Sequence, residues 1–422
     1  MRRTTRTTAL TALLAGTALA LTACGGGSGF DEEEPAATDG GTEEGGGGEL
    51  TILIGSSGAA ETDAVTAAVD AWSAESGVDA TVNVASDLNQ ELAQGFAAGS
   101  PPDVFYASTD QLAGYVANGS LFPYAADLPN ADDFYPSLRE NFTVDGEFYC
   151  APKDFSTLAL IINTDAWAAA GLTDADVPTD WESLAAVAKT LTTGEQVGLS
   201  FGPEYQRLGV FMEQAGGGLV DEDGTTAIVD SPENTEALTF VQQMLKDGVL
   251  AYPSAIDSGW GGEAFGSGRA AMTIEGNWIT GALKNDFPDT KYLVAPLPEG
   301  PAGPGTLQFT NCWGIAADSA NQEAAVQLVE HLTATEQQVA FAEAFGVMPS
   351  VESAGEEFRT TFPEQAAFLD SAEFAVGMPT VQGASDVIGD FNGQIEGLAA
   401  ADVAAMLASV QTNMQAVLGA EG

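Results

Sequence analysis

Positive charge and histidine are scarce in this chain. Its 422 residues include 12 Lys or Arg against 61 Asp or Glu, and one histidine, for a net charge of −49. Nucleic acid and the anionic face of a membrane are gripped by cationic stripes, which such a chain lacks. An anionic small ligand is less strongly disfavoured, because one buried Arg can override the global field. A single histidine, His331 in "EAAVQLVEHL", argues against hydrolases built on Ser-His-Asp or Cys-His. It argues equally against zinc enzymes with two histidine ligands. Beyond the N-terminal leader, no apolar stretch is long and uninterrupted enough to span a bilayer.

What is present at the N-terminus is a leader. Arg2, Arg3 and Arg6 form a basic start, and residues 8–23 are mostly Ala, Leu, Thr and Gly. This is the pattern of a secretory signal peptide, too short for a comfortable membrane span. Leu21-Thr22-Ala23-Cys24 resembles the bacterial lipobox, in which the cysteine takes a diacylglycerol and becomes the new N-terminus; the alternative is an ordinary signal peptide with a cysteine nearby. Several acyl chains on Cys24 would anchor the chain stably, where one would hold it only marginally. Residues 25–49 hold ten Gly and eight Asp or Glu with no basic residue, a self-repelling segment with almost nothing to bury. At about 25–30 Å of reach it would lift a domain off the membrane surface. A chain starting at Cys24 keeps nine basic residues against 61 acidic ones, a net charge of −52. Solubility in a salty or alkaline habitat is the simplest account of that charge.

The roughly 370 residues after the tether suffice for two ordinary domains. "LTILIG" (50–55) is a strand, followed by a helix with Val65, Val69 and Trp72 on one face. "VDATVNVA" (78–85) alternates as a second strand, and Leu88, Leu92 and Phe96 mark a second helix. "PPDVFYAS" is a third strand, and Leu112 and Val116 open a third helix. This alternation predicts a parallel α/β lobe, with ligands beyond the carboxyl ends of its strands. A second α/β region starts near 155 with the long strand of "STLALIINTDAW". "DEDG" (221–224) lacks the ligand spacing of a calcium loop and reads as a hairpin turn. Ser231-Pro232 opens a helix with Leu238, Val241 and Leu245 on its apolar face. After 311 come a strand ("CWGIAA"), a helix (321–332), a capping box at Thr333-Ala334-Thr335-Glu336, and a helical tail from 384. Cys150 and Cys312 form an even pair in an oxidising compartment, which permits a disulfide without showing that the two are close.

Five motifs in order resemble one family. "LAQGFAAGSPPDVFYASTDQLAGYVANGSLFPY", "YCAPKDFSTLALIINTDAW", "AFGSGRAAMTIEGNWITGAL", "NCWGIAADSANQEAAVQLVEHL" and "GVMPS" are similar to the family 1 extracellular solute-binding proteins, the maltose-type receptors of sugar ABC importers. The likeness runs from residue 50 to the end. It departs from the family in its acidic linker and in the cleft aromatics expected between 201 and 211, which only Phe201 and Tyr205 match in part.

The resemblance implies a two-lobed α/β fold with hinge-crossing strands and a ligand cleft between the lobes. One lobe would comprise 50–154 with 314–350 and the other 155–313 with 351–422, behind a signal peptide (1–23) and tether (24–49). It implies a monomeric, lipid-anchored, extracytoplasmic receptor that captures a carbohydrate by lobe closure and passes it to membrane permease subunits, with no cofactor, metal or catalysis. Among candidate ligand contacts, Trp278 would stack on a sugar face. Asp110 and Asp87 would bind hydroxyls, or else cap the helices they precede. Ser56 and Ser57 stand at the cleft edge, with a backbone turn as the alternative. Glu275 and Asn277 flank Gly276, Asn277 being preferred. Trp313 and Asn311 belong to the return crossing, Phe155 and Asp154 to the first, and Trp260 and Asp386 complete the set. Lys153 reads as a structural ion pair with Asp154. Because Cys150 and Cys312 precede crossings that the family runs side by side, the resemblance favours a disulfide between them.

Two other functions fit parts of this pattern. Acidic residues beside aromatics also serve glycoside hydrolysis, although no two carboxylates stand out at a fixed separation. A receptor for glycerol phosphate, a peptide or another solute is the second; a phosphate would call on Arg207 or Arg269.

Overall fold

The computed structural model describes residues 48–221 and 224–419; the leader, Cys24 and nearly all of the tether lie outside them. The apolar run after the tether forms β1 (Leu50–Ile54), followed by helix Ala59–Ser76, β2 (Ala80–Val84), helix Leu88–Ala98, β3 (Val104–Ser108) and helix Thr109–Ala117. β1 lies between β2 and β3 and parallel to both, as strand–helix–strand crossings require. Val65, Val69 and Trp72 fill the buried face of the first helix. A two-residue hairpin joins β4 (Thr143–Val144) to β5 (Glu147–Phe148). Its Asp145 and Gly146 both have positive φ, 53° and 81°, which suits a tight Asp-Gly turn.

The long strand β6 (Ala151–Asn163) then carries the chain from one half of the molecule to the other. It is followed by β7 (Val197–Ser200), β8 (Leu250–Ala251), β9 (Ala270–Gly276), β10 (Tyr292–Ala295), β11 (Thr306–Ile315) and β12 (Ala375–Val376). The strands join in the order β2-β1-β3-β11-β6-β9-β7-β8. β6 pairs antiparallel with β11 through its first seven residues and with β9 through Leu158–Ile162. β11 in turn pairs antiparallel with β3. These two strands are the crossings expected from the sequence, and each belongs to both halves.

Two large apolar cores flank the crossing. One is drawn from residues 50–151 and 312–354, the other from 158–307 and 384–414. A smaller cluster between them includes Phe155, Ile161, Ile279, Met348 and Phe368. Phe201 and Tyr205, the partial matches for cleft aromatics, are buried in the second large core. Cys150 and Cys312 are joined by a disulfide with Cα atoms 5.6 Å apart, closing a separation of 162 residues. Both are fully buried in the first core.

Two turn expectations are met differently. The Val220–Ala227 bridge, with Asp221 accepting from the Thr225 and Thr226 amides, agrees with a hairpin reading at the described ends of this segment; Glu222 and Asp223 lie outside the described residues. The capping box at 333–336 does not form. Thr333 ends helix Gln322–Thr333 and donates its hydroxyl back to the Val329 carbonyl at 2.8 Å. Ala334 is therefore the N-cap of helix Thr335–Phe345 and offers no side-chain bond. The two helices lie one residue apart, so the threonine is claimed by the first.

Replacing both cysteines by serine is expected to lower stability by about 3–5 kcal/mol, because a long loop in the unfolded chain is freed. The check is the urea midpoint, and an unchanged midpoint would contradict it. Glu213, in the last turn of helix Tyr205–Gln214, carries a second consequence. Burial pushes its carboxyl up to about 7. The folded state thus holds a proton that the unfolded state releases nearer pH 4.5, so stability falls as pH rises from about 4.5 through 7. Glu213→Gln should flatten that slope and raise stability above pH 7 by up to about 3 kcal/mol, read by unfolding at pH 5 and 8.

Candidate functional site

A cleft of about 1490 Å³ opens at the crossing and takes its lining from both halves. The loop after β1 supplies one wall. There the Ser57 amide and hydroxyl both donate to Glu61 Oε2 at 2.7 Å. Glu61 Oε1 accepts from the Tyr106 hydroxyl at 3.0 Å and from Lys153 Nζ at 3.1 Å. Lys153 also pairs with Asp154 and stands 4.5 Å from the Tyr106 ring centroid. Adjacent residues of a regular strand point to opposite faces, so this contact needs an irregularity. The β6–β11 register supplies it: Pro152 faces Cys312 and Asp154 faces Asn311, leaving Lys153 as the extra residue of a bulge.

Glu61, Lys153 and Asp154 form a buried triad with one negative charge in excess. Burial drives the Glu61 carboxyl up, but Lys153 and the two Ser57 hydrogen bonds overcome it, and the net shift is downward. Burial likewise opposes the charge on Lys153, yet Asp154, Tyr106 and Glu61 hold its pKa above the usual lysine value. Asp154 is raised by burial and by the Glu61 charge, with Lys153 only partly countering. Asp154 is therefore the member that takes a proton first.

The opposite wall is built on Trp278, which opens helix Trp278–Asp286 just past β9. Its indole lies against Gly276, where a Cβ would clash with the ring at 2.2 Å. Nε1 donates to Glu275 Oε2 at 3.1 Å, the Arg207 guanidinium sits 5.4 Å from the ring, and Phe309 meets it edge-on at 5.5 Å. The residue is nonetheless 38% exposed. Arg207 donates to the same Glu275 oxygen at 2.6 Å and pairs with Glu204 at 3.1 Å. Burial raises Glu275, against the pull of Arg207.

Of the candidates named from sequence, Trp278, Asp110, Asn277, Ser57, Phe155, Asp154 and Asn311 line the cleft. Asp110 is exposed in the first turn of its helix, whose N-cap is Ser108. Asn277 is 2% exposed, and its amide nitrogen donates to the Gly346 carbonyl at 2.6 Å. Phe155 is buried, its backbone paired with Met348. The structure does not bring Asp87, Ser56, Trp313, Trp260 or Asp386 to this lining. Asp87 caps helix Leu88–Ala98 by accepting from the Gln90 amide, and Ser56 closes a local turn with Gly58 and Thr62. Trp313 is buried edge-to-face on Tyr106. Trp260 lines a smaller neighbouring pocket, and Asp386 is exposed in the first turn of helix Ala384–Ile395. Lys153 does pair with Asp154, as expected, but Glu61 as its second partner was not foreseen. Phe345 and Phe309 were not foreseen as lining residues either. The available signal was rarity. In so acidic a chain, Lys153 and Arg207 within apolar segments are the cations to expect buried and paired. Among the described residues, no group of three or more His, Cys, Asp or Glu could hold a metal ion.

Residues 67–377 match the profile of the bacterial extracellular solute-binding proteins, and the chain belongs to that family, whose members bind solutes and are not enzymes. A protein of Brucella abortus described as a binding protein is 26% identical over 319 residues, 71% of this chain and 76% of its own. A lactose-binding protein of Rhizobium radiobacter is 24% identical over 274 residues, 61% of this chain and 64% of its own. The GacH receptor of Streptomyces glaucescens, solved without ligand and with acarbose, superposes with a TM-score of 0.78 at 23% identity, over 88% of this chain and 98% of its own. A likeness at that identity establishes the two-lobed fold and not the ligand. No helix among the described residues is long and apolar enough to cross a membrane.

Removing the cation from the triad should expose its cost. Lys153→Met is expected to destabilise by about 3–5 kcal/mol, since two carboxylates remain buried without their counter-charge. Adding Glu61→Gln should recover part of that loss, and a double-mutant cycle in urea measures the coupling.

Proposed function

We propose that this protein is a carbohydrate receptor, lipid-anchored through Cys24 on the extracytoplasmic face, that closes its lobes on an oligosaccharide and delivers it to the permease subunits of an ABC importer. The observation that carries this reading is Trp278, clamped by Glu275, Arg207 and Phe309 yet 38% exposed in the cleft. A sugar offers C–H faces that pack on an aromatic ring and hydroxyls that pair with carboxylates and amides. Across the cleft, Asp110, Asp154 and Asn311 supply such polar partners. The cleft volume favours several sugar units over one. A lobe division near 50–154 with 314–350 and 155–313 with 351–422 is supported by the two cores and the two crossing strands, with Cys312, Trp313, Val351 and Ala354 packing in the first core.

Closure is a shift between open and closed populations, driven by a ligand that touches both lobes. A receptor that must also release its cargo suits an affinity near 1 μM, about −8.2 kcal/mol. One stacked ring and a few charge-assisted hydrogen bonds can leave that surplus after ordering costs. An anionic solute such as glycerol phosphate is disfavoured, because both buried cations are already paired with carboxylates. Hydrolysis is not expected, since Glu61 and Asp154 are both held on Lys153 rather than poised as a free acid and base.

The test is a thermal-shift screen of the domain against mono- and oligosaccharides, sugar phosphates and peptides. A matching saccharide at a hundredfold excess over Kd should add about 2.7 kcal/mol of stability. Trp278→Ala should weaken that binding about tenfold or more. Stabilisation by sugar phosphates or peptides alone would overturn the carbohydrate assignment, and saccharide turnover would overturn the non-enzymatic one.

A further inference from the structure

Beside the cleft, and sharing Gly389 and Asn392 with it, lies a second cavity of about 550 Å³. It opens at the carboxyl ends of β7, β8 and β9, which run parallel, and Gly202, Pro253 and Glu275 at those ends belong to its wall. That end of an α/β sheet is where ligands are held. Another wall is one face of helix Ala384–Ile395, with Gly389, Asn392 and Gly393 followed by Glu396 at the C-cap. Glycine weakens a helix interior, and a Cβ at Gly389 or Gly393 would meet nothing within 4 Å. The helix thus leaves the pocket open, although small residues alone would mark no site. What marks one is Arg207. It is 9% exposed, its two terminal nitrogens are held by Glu204 and Glu275, and its Nε donor is buried with no partner among the described residues. The hydroxyls of Ser200 and Thr273, neighbours across β7 and β9, are likewise buried and unpartnered. Gly261, on the pocket wall, lies against one of them: a Cβ there would stand 2.8 Å from Thr273 Oγ1. A buried donor without an acceptor is costly, and a ligand acceptor entering the pocket would remove that cost.

We propose that this side pocket is a second subsite, for a neutral sugar unit one of whose oxygens accepts a hydrogen bond from Arg207 Nε. The two cavities meet at Gly389 and Asn392, so one oligosaccharide stacked on Trp278 can extend into both. The unpartnered donor calls for an acceptor, which an ammonium group does not offer. A phosphate or carboxylate would offer one, but Glu204, Glu275 and Glu396 would all face it, and Arg207 already pairs with two of them. A hydroxyl meets both conditions. Its oxygen accepts from Nε while its own O–H donates to a carboxylate such as Glu204, and both bonds are charge-assisted. The Trp260 ring, on the same wall, offers an apolar surface to the C–H face of the sugar. The inference rests on the saccharide-receptor reading and adds to it a second subsite, and with it a dependence on ligand length.

The experiment is titration calorimetry of the full-length protein with neutral mono- to pentasaccharides of the malto, cello and galacto series. In at least one series the affinity should step up about tenfold at the length that reaches the side pocket. Gly393→Leu fills that pocket from an exposed helix position that does not line the main cleft. It should remove the step and leave the shorter saccharides bound as before, with no loss of melting temperature. Trp260→Ala should reduce the same step. Added salt should leave the step unchanged, because the ligand carries no charge. If oligosaccharides bind but Gly393→Leu alters no affinity, the subsite inference falls and the receptor reading stands. The inference falls too if that variant weakens monosaccharides equally, or if a charged sugar outbinds its neutral counterpart at the step. If no saccharide binds, the receptor reading falls and takes the inference with it.

Discussion

The pairing of β6 with β11 is the constraint on which the remaining architecture depends. Each strand is hydrogen-bonded in both halves of the molecule, so neither half can be assembled without fixing the path of the other. The residues at the crossing are correspondingly apolar and buried, from Phe155 and Ile161 to Met348. The disulfide closes at the same place, tying the residue before β6 to the middle of β11. The bulge at Lys153 is the one irregularity in this pairing. It is also where the cleft acquires its charge, because a regular ladder would hold Lys153 and Asp154 on opposite faces.

Charge is distributed in the interior by the same economy that rules the sequence. With so few cations available, each buried one serves two carboxylates: Lys153 holds Glu61 and Asp154, and Arg207 holds Glu204 and Glu275. Both cations also pack on aromatic rings, Tyr106 for the lysine and Trp278 for the arginine. Two walls of the binding region are thus built on one plan, with a cation that fixes carboxylates on one side and an aromatic ring on the other. Such arrangements add little net stability, since desolvation consumes most of the Coulomb gain. Their value is positional: the indole of Trp278 can remain exposed in the cleft and still have a single orientation.

Much of the fold was legible in the chain. Alternation gave β2, short apolar runs gave β1 and β3, and helical spacing gave the helices between them, whose apolar stripes face a core. The continuous apolar run at 158–162 marked a strand buried on both faces, and Ser231-Pro232 marked a helix start. Local rules failed where two elements competed for one residue, as at Thr333, which bonds back into its own helix. They also failed where a polar residue after a strand could serve either a ligand or a helix end. Asp87 and Asp110 read alike in sequence, yet one caps its helix and the other stands free in the cleft.

The sequence by itself determined the alternation of strands and helices, the acidic surface, and the presence of an exposable tryptophan after a glycine-ended strand. Each of these follows from periodicity, composition or neighbours a few residues away. Only the tertiary structure decided that Glu61 would meet Lys153 across 92 positions and that Arg207 would meet Glu275 across 68. It also decided that Trp313 would vanish into a core while Trp278 stayed in the cleft. Those choices depend on how two crossing strands are registered, and a register is a property of paired backbones that no single stretch of sequence contains.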